Sequence, residues 1–304
     1  MTPCLFILAF DHRASFLRSF FGVTSEPSEA ERERASRAKD VIWSGVERAL
    51  DGGDVDPSTV GVLVDATYGR RVIDAARARG IRYAIPLEES GRDELALETS
   101  AWRERLAELD PTWAKILVRY NPDGDEGTNE RQRAVLADVS EHCRTTGRAY
   151  MLEVLVPAEP GQLSAVGDDP DRYDREVRPA LVIRAIEEMQ ASGIEPDIWK
   201  LEGLDERADC EAVASAARAN GRAHVGCVVL GRGADDRAVE RWVRTAAGVE
   251  GWTGFAIGRS IWWEPLRGYF DDGENEAARD SAEAGIARTF TRYARVFVSS
   301  ESPR

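Results

Sequence analysis

Lys115 and Lys200 both lie inside apolar segments of a 304-residue chain in which only three of the 40 basic residues, Lys39, Lys115 and Lys200, are lysine. Surface positions accept arginine as readily, so a chain using arginine almost everywhere keeps lysine where an amine able to lose its proton is wanted. A free lysine titrates near ~10.4, and both burial and a neighbouring cation disfavour its charged form. One of the two buried lysines then becomes a nucleophile toward carbonyl carbon, while the other, or Arg119, supplies the cation. Glu153 and Asp11 can shuttle the protons that carbinolamine formation, imine formation and carbon–carbon cleavage require. This is Schiff-base chemistry. Lys39 falls in a charged helical run, 29–50, and needs no special account there.

These groups must be brought together by the elements that carry them. Apolar runs of period two recur at 5–10, 60–65, 81–86, 113–120, 149–156, 197–201, 224–230 and 253–258. Charged stretches of helical period lie between them, at 28–50, 69–79, 93–109, 129–145, 171–192, 206–220 and 235–247, and a last one spans 276–297. Strict alternation of strand and helix implies a parallel sheet with right-handed crossovers. Eight such units in this length predict an α/β fold, the (β/α)8 TIM barrel, as a single domain over 1–304.

Alternation along each strand separates the barrel interior from the helix-facing side. The wholly apolar faces, such as Phe6, Leu8 and Phe10 or Leu152, Val154 and Val156, must meet the helices. Asp11, Asp65, Lys115, Arg119, Glu153, Lys200 and Glu202 then point inward near the C-terminal ends of the strands, where barrel enzymes carry their sites. After the last two strands come Gly231-Arg232 and Gly258-Arg259. Glycines there let backbone N–H groups approach an anion and each arginine adds a charged fork, so these four residues form a candidate phosphate site.

Other chemistries fit less well. His12 has helix-facing parity, His142 lies in a helix and His224 begins a strand, so all three are assigned structural roles. Without a histidine cluster a metal would rest on carboxylates such as Asp11, Asp65 and Glu153 around two lysines, and neither metal nor cofactor is expected. A net charge of −14 repels nucleic acid and anionic membranes. Four scattered cysteines and the lack of a long apolar span suggest reduced thiols in a cytoplasmic chain. Barrels of this kind usually assemble, and the aromatic segment 262–270 is the expected face of a homo-oligomer.

Five short motifs occur in order on the expected strands. They are Ala9-Phe10-Asp11-His12-Arg13, Lys115 to Asp123 in Lys-Ile-Leu-Val-Arg-Tyr-Asn-Pro-Asp, Leu152-Glu153-Val154-Leu155, Trp199-Lys200-Leu201-Glu202-Gly203 and Gly254-Phe255-Ala256-Ile257-Gly258-Arg259. Together they resemble the 2-deoxy-5-keto-gluconate-6-phosphate aldolase domain of inositol catabolism, which is similar to the class I tagatose-1,6-bisphosphate and sulfofructose-phosphate aldolases. The resemblance implies that Lys200 forms the imine, that Glu153 is the acid/base, that Lys115 and Asp11 assist, and that Gly231, Arg232, Gly258 and Arg259 hold phosphate. It implies a small-molecule partner, a phosphorylated keto sugar or keto acid, cleaved to dihydroxyacetone phosphate and malonate semialdehyde. Alternatives are a sulfo-sugar phosphate, tagatose 1,6-bisphosphate, whose second phosphate would need Arg13 or Arg119, and a non-catalytic sugar-phosphate-binding barrel. Asn121 departs from the family pattern, where Tyr-His-Pro-Asp is expected.

Overall fold

The computed structural model describes residues 4–300. The chain runs β1 (Leu5–Phe10), α1 (Ala14–Phe21), α2 (Glu29–Asp51), β2 (Val60–Val64), α3 (Arg70–Ala78), β3 (Arg82–Pro86), α4 (Trp102–Leu109), β4 (Trp113–Arg119), α5 (Glu126–Thr146) and β5 (Ala149–Leu155). It continues through α6 (Pro160–Ala165), α7 (Pro170–Glu176), α8 (Arg178–Ala191), β6 (Ile198–Glu202), α9 (Arg207–Arg218), β7 (Gly226–Leu230), α10 (Asp236–Ala246), β8 (Trp252–Ile257), α11 (Arg259–Asp271) and α12 (Glu276–Ser300). The strands pair in parallel in chain order, and β1 closes on β8. This is the (β/α)8 barrel that the alternation predicts.

The parity argument holds strand by strand. Phe6, Leu8, Phe10, Val62, Val64, Ile116, Leu152 and Trp199 join the core between sheet and helices. Ile7, Ala9, Leu63, Ala84, Trp113, Met151 and Ile198 form a separate cluster inside the barrel. Four charged residues of the lumen therefore stand two positions above an apolar one: Asp11 above Ala9, Lys115 above Trp113, Glu153 above Met151, Lys200 above Ile198. An apolar layer fills the barrel below these charges. Each fully buried large aliphatic or aromatic chain in these layers contributes about 1.5–3 kcal/mol.

The differences from expectation have local causes. The stretch 171–192 is two helices, because Pro179 has no N–H to donate back to the preceding turn and the chain breaks at Val177. The stretch 93–101 is not helical. Leu87 N donates to Lys115 O at 2.9 Å, Glu98 N to Leu87 O at 2.9 Å and Glu89 N to Ala96 O at 2.8 Å, so the chain after β3 doubles back as a small hairpin across Gly91, whose φ is +84°. Trp262, expected on an interface, is buried and donates from Nε1 to Ala9 O at 2.9 Å. Its neighbours Trp263 and Phe270 are half-buried and pack on Phe20.

Candidate active site

A cavity of about 610 Å³ opens at the C-terminal ends of the strands, and Asp11, Lys115, Arg119, Glu153, Lys200 and Arg259 all line it. Glu153 and Lys200 are register partners on β5 and β6, so both project from the same level of the wall. Their contacts are unequal. Lys115 Nζ touches Asp11 Oδ2 at 2.9 Å, Glu88 Oε1 at 2.7 Å and Glu153 Oε2 at 2.9 Å. Lys200 Nζ meets a single carboxylate among the described residues, Glu153 Oε2, at 2.9 Å.

The electrostatics follow from that count. Burial works against the Lys115 ammonium, but Asp11, Glu153 and Glu88 outweigh it and hold the group charged well above the ordinary lysine range. Burial would also raise Glu153, yet Lys115 and Lys200 overcome it and keep the carboxyl below its usual value. Asp11 is held lower still: burial opposes its charge, and Lys115 and then Lys200 prevail. Glu88 goes the other way. Its burial is the largest influence, Lys115 does not fully compensate, and the nearby Asp11 charge adds to the rise. Its Oε2 is buried without a hydrogen-bond partner among the described residues. Asp11, Lys115 and Glu153 thus share one desolvated space with Lys200 and with Glu88, whose carboxyl is shifted upward.

The β7 and β8 rim is built for close approach. A Cβ on Gly258 would lie 2.3 Å from Ala9 O, so only glycine lets α11 begin against the end of β1. Gly233 has φ +74°, and a Cβ there would lie 2.8 Å from Arg259 Cζ. The first turn of α11 and the Arg259 fork therefore face the cavity together, which suits an anion. Arg259 Nη2 donates to Arg232 O at 3.0 Å and has no carboxylate within ion-pair distance among the described residues.

Several sequence expectations need correction. Asp65 does not line the cavity: β2 ends at Val64, and Asp65 turns aside to accept from Tyr68 N at 2.8 Å and to pair with Lys39 at 3.1 Å. Lys39, expected on a solvated helix face, is 1% exposed. Gly231 lies beneath the cavity against Ile257, and Gly233 takes its place in the lining. Arg232 reaches the cavity but is paired with Asp174 at 2.5 Å and Glu202 at 3.2 Å, a charge already satisfied. Arg13 is likewise engaged, by Glu98 at 2.8 Å and by Glu88 O. Arg119 donates to Arg92 O at 2.8 Å and meets no carboxylate among the described residues. Asn121, where the resembled family has histidine, is a loop anchor outside the cavity that donates to Pro157 O at 2.8 Å and Gln162 Oε1 at 2.7 Å.

Two cavity residues lay outside the sequence expectations. Glu88 follows Ala84 and Pro86 at period two, so extending the inward parity of β3 by one step would have found it. His12 was placed among the helices by parity, but β1 ends at Phe10 and the turn brings the imidazole to the cavity, edge-on to Trp262 at 5.7 Å. Burial pushes His12 down to about 4 despite the pull of Asp11, so the ring is neutral at neutral pH.

A (β/α)8 barrel with charged groups gathered on its C-terminal rim is the class that fold and site define. The family model DUF2090, described as "Uncharacterized protein conserved in bacteria", matches residues 1–300, and the chain belongs to that family. Tagatose 1,6-diphosphate aldolase 2 of Streptococcus pyogenes serotype M1 is 27% identical over 159 residues, 49% of this chain and 43% of the relative, so the match spans less than half of that protein. Tagatose 1,6-diphosphate aldolase 1 of the same organism is 22% identical over 279 residues, 84% of this chain and 83% of the relative. Among solved structures, fructose-bisphosphate aldolase from Plasmodium falciparum superposes with TM-score 0.69 at 12% identity, covering 98% of this chain and 91% of the other. At that identity the likeness shows the fold alone. Among the described residues no helix is long and apolar enough to cross a membrane.

Proposed function

We propose that this protein is a class I, Schiff-base aldolase that cleaves a phosphorylated keto sugar acid, with 2-deoxy-5-keto-D-gluconate 6-phosphate as substrate and dihydroxyacetone phosphate and malonate semialdehyde as products. The observation that carries this reading is the unequal coordination of the two lumen lysines. Lys115, enclosed by three carboxylates, is a fixed cation. Lys200, with one carboxylate contact among the described residues, keeps an open side toward the cavity. The same enclosure weighs against a metal-dependent alternative, since the Lys115 ammonium occupies the space between Asp11, Glu88 and Glu153, and Asp65 lies elsewhere.

In this reading Lys200 gives a proton to Glu153 and its nitrogen attacks the C5 ketone; proton transfer to the former carbonyl oxygen and loss of water leave an iminium. Glu153, again as carboxylate, removes the proton of the C3 hydroxyl, C3–C4 breaks, and its electron pair moves into the iminium to give an enamine and malonate semialdehyde. Protonation at C4 and hydrolysis release dihydroxyacetone phosphate and restore the amine. Lys115 stays a fixed cation beside Glu153 and Asp11 and favours their carboxylate forms, to which Glu153 returns between proton transfers. Arg259, Gly258 and the start of α11 would hold the phosphate, whose binding energy fixes the reacting carbons over Lys200.

The relatives named as tagatose 1,6-diphosphate aldolases favour a second reading, a bisphosphate substrate. The far end of a bisphosphate would fall to Arg119, which meets no carboxylate among the described residues, and to Arg13, whose partner Glu98 is shared with Arg105; a single carboxylate needs only the Arg119 fork. Borohydride reduction in the presence of dihydroxyacetone phosphate, followed by peptide mass mapping, tests the mechanism. An adduct on Lys200 is expected; an adduct on Lys115, or none, overturns it. A substrate panel separates the two readings, and phosphate-ester binding without turnover or trapping would mark a non-catalytic barrel.

A further inference from the structure

The proposed chemistry uses Lys115 and Lys200 and leaves the third lysine unexplained. Lys39 lies on α2, outside the barrel, and does not line the cavity. Its Nζ nevertheless donates to Phe10 O, donates to His12 O at 2.8 Å and pairs with Asp65 Oδ2 at 3.1 Å. The two carbonyls belong to the peptide units that lead into Asp11 and out of His12. Residues 11–13 lie in neither strand nor helix, so the sheet and α1 do not hold this turn through their own ladders. One ammonium therefore pins the backbone on both sides of the residues that present the Asp11 carboxylate to Lys115 and the His12 ring to the cavity.

The residue type fits the task. Two carbonyl oxygens accept from one nitrogen and a carboxylate pairs with it, a convergence that suits a compact ammonium, whereas a guanidinium spreads five donors over a planar fork. Isolated burial of that charge at 1% exposure is costly, and Asp65, itself 0% exposed, supplies the compensating charge. The rings of Phe10 and Phe16, at 5.9 and 4.9 Å from Nζ, close the remaining sides.

We propose that Lys39, held by Asp65, is a positioning residue for the aldolase reaction: it fixes the β1–α1 turn so that Asp11 meets Lys115 in the geometry that catalysis requires. The kinetic part of this inference rests on the aldolase reading; the structural part does not.

The test uses the full chain as wild type, Lys39→Met, Lys39→Arg and Asp65→Asn, with far-UV circular dichroism and urea unfolding as folding controls. Hydrogen exchange read by mass spectrometry is expected to show amides 11–14 exchanging about 10-fold faster or more in Lys39→Met. The retro-aldol kcat is expected to fall about 100-fold with KM changed by less than about threefold, as a displaced acid/base assembly predicts. Lys39→Arg is expected not to rescue kcat, and Asp65→Asn to fall between wild type and Lys39→Met. If Lys39→Met does not fold, the exchange and the kcat of Asp65→Asn decide. Unchanged kcat in a folded variant of the pair, rescue by arginine, or a loss of KM alone would overturn the proposal. If wild-type protein traps no dihydroxyacetone phosphate, the aldolase reading fails by itself, and unchanged exchange at 11–14 would then also overturn the clamp.

Discussion

The wall of the cavity built by β1, β3 and β4 and the wall built by β6, β7 and β8 carry the same kinds of side chain with opposite degrees of satisfaction. On the first, Lys115 is ringed by three carboxyl groups and Arg13 pairs with Glu98, a carboxylate it shares with Arg105. On the second, Lys200 touches one carboxylate and Arg259 none among the described residues. The difference teaches how to separate architecture from function in a charged lumen. A buried ion whose partners saturate it is part of the frame, because removing it strands those partners. An ion left with open coordination is available to a ligand. Arg119 and Arg232 show that the division does not follow strand number alone: Arg119, at the end of β4, meets no carboxylate among the described residues, while Arg232 sits on the open wall yet is engaged by Asp174 and Glu202.

The comparison can be broken most directly at the two lysines. Lys200→Met should abolish turnover and borohydride trapping, a loss of about 10⁴-fold or more, while urea unfolding shifts by no more than about 1 kcal/mol. Lys115→Met should do the reverse in stability. It leaves Asp11, Glu88 and Glu153 without their shared cation in a dry space and should cost about 3–5 kcal/mol in the same unfolding experiment. If Lys200→Met proved the more destabilising of the two, the two-wall distinction would fail.

The pH dependence of stability sharpens it. The raised Lys115 contributes stability that is fully present below the unfolded value, about 10.4, and is lost only as pH climbs through the higher folded value. The depressed Asp11 and Glu153 contribute stability that is present above about pH 4 and is lost as pH falls through their lower folded values. His12 is also depressed, to about 4 from 6.5, but as a base: the unfolded chain binds its proton first, so stability falls as pH drops from about 6.5 toward 4, by at most about 3 kcal/mol. Urea midpoints across that range should fall less steeply in His12→Gln than in wild type; parallel curves would remove His12 from the account.

A smaller effect separates the two rim arginines. Arg259→Gln should weaken dihydroxyacetone phosphate binding about 10-fold by calorimetry, the loss of one charge-assisted contact. Arg232→Gln should change that affinity by less than about threefold, because its fork is already occupied by Asp174 and Glu202.

Much of this protein is legible in the chain because the signals are local. Period two along a strand decides which side chains enter the barrel, and the steps from Met151 to Glu153 and from Ile198 to Lys200 announce an apolar plug with charge above it. The rarity of lysine correctly singled out buried amines, although the third one, Lys39, was hidden by the charged sequence around it; its burial depends on where α2 lands against β1 and β2. Parity carried past the last strand residue misplaced Asp65 and His12, because backbone direction is free to change once the ladder stops at Val64 and Phe10. Composition and spacing alone thus determined the barrel and those inward-facing residues that lie within the strands, such as Lys115, Glu153 and Lys200. Which of those charges are spoken for, as Arg13, Arg232 and Lys115 are, and which are open, as Lys200 and Arg259 are, was decided only by the tertiary structure, since charge compensation is a matter of distance between residues far apart in the chain.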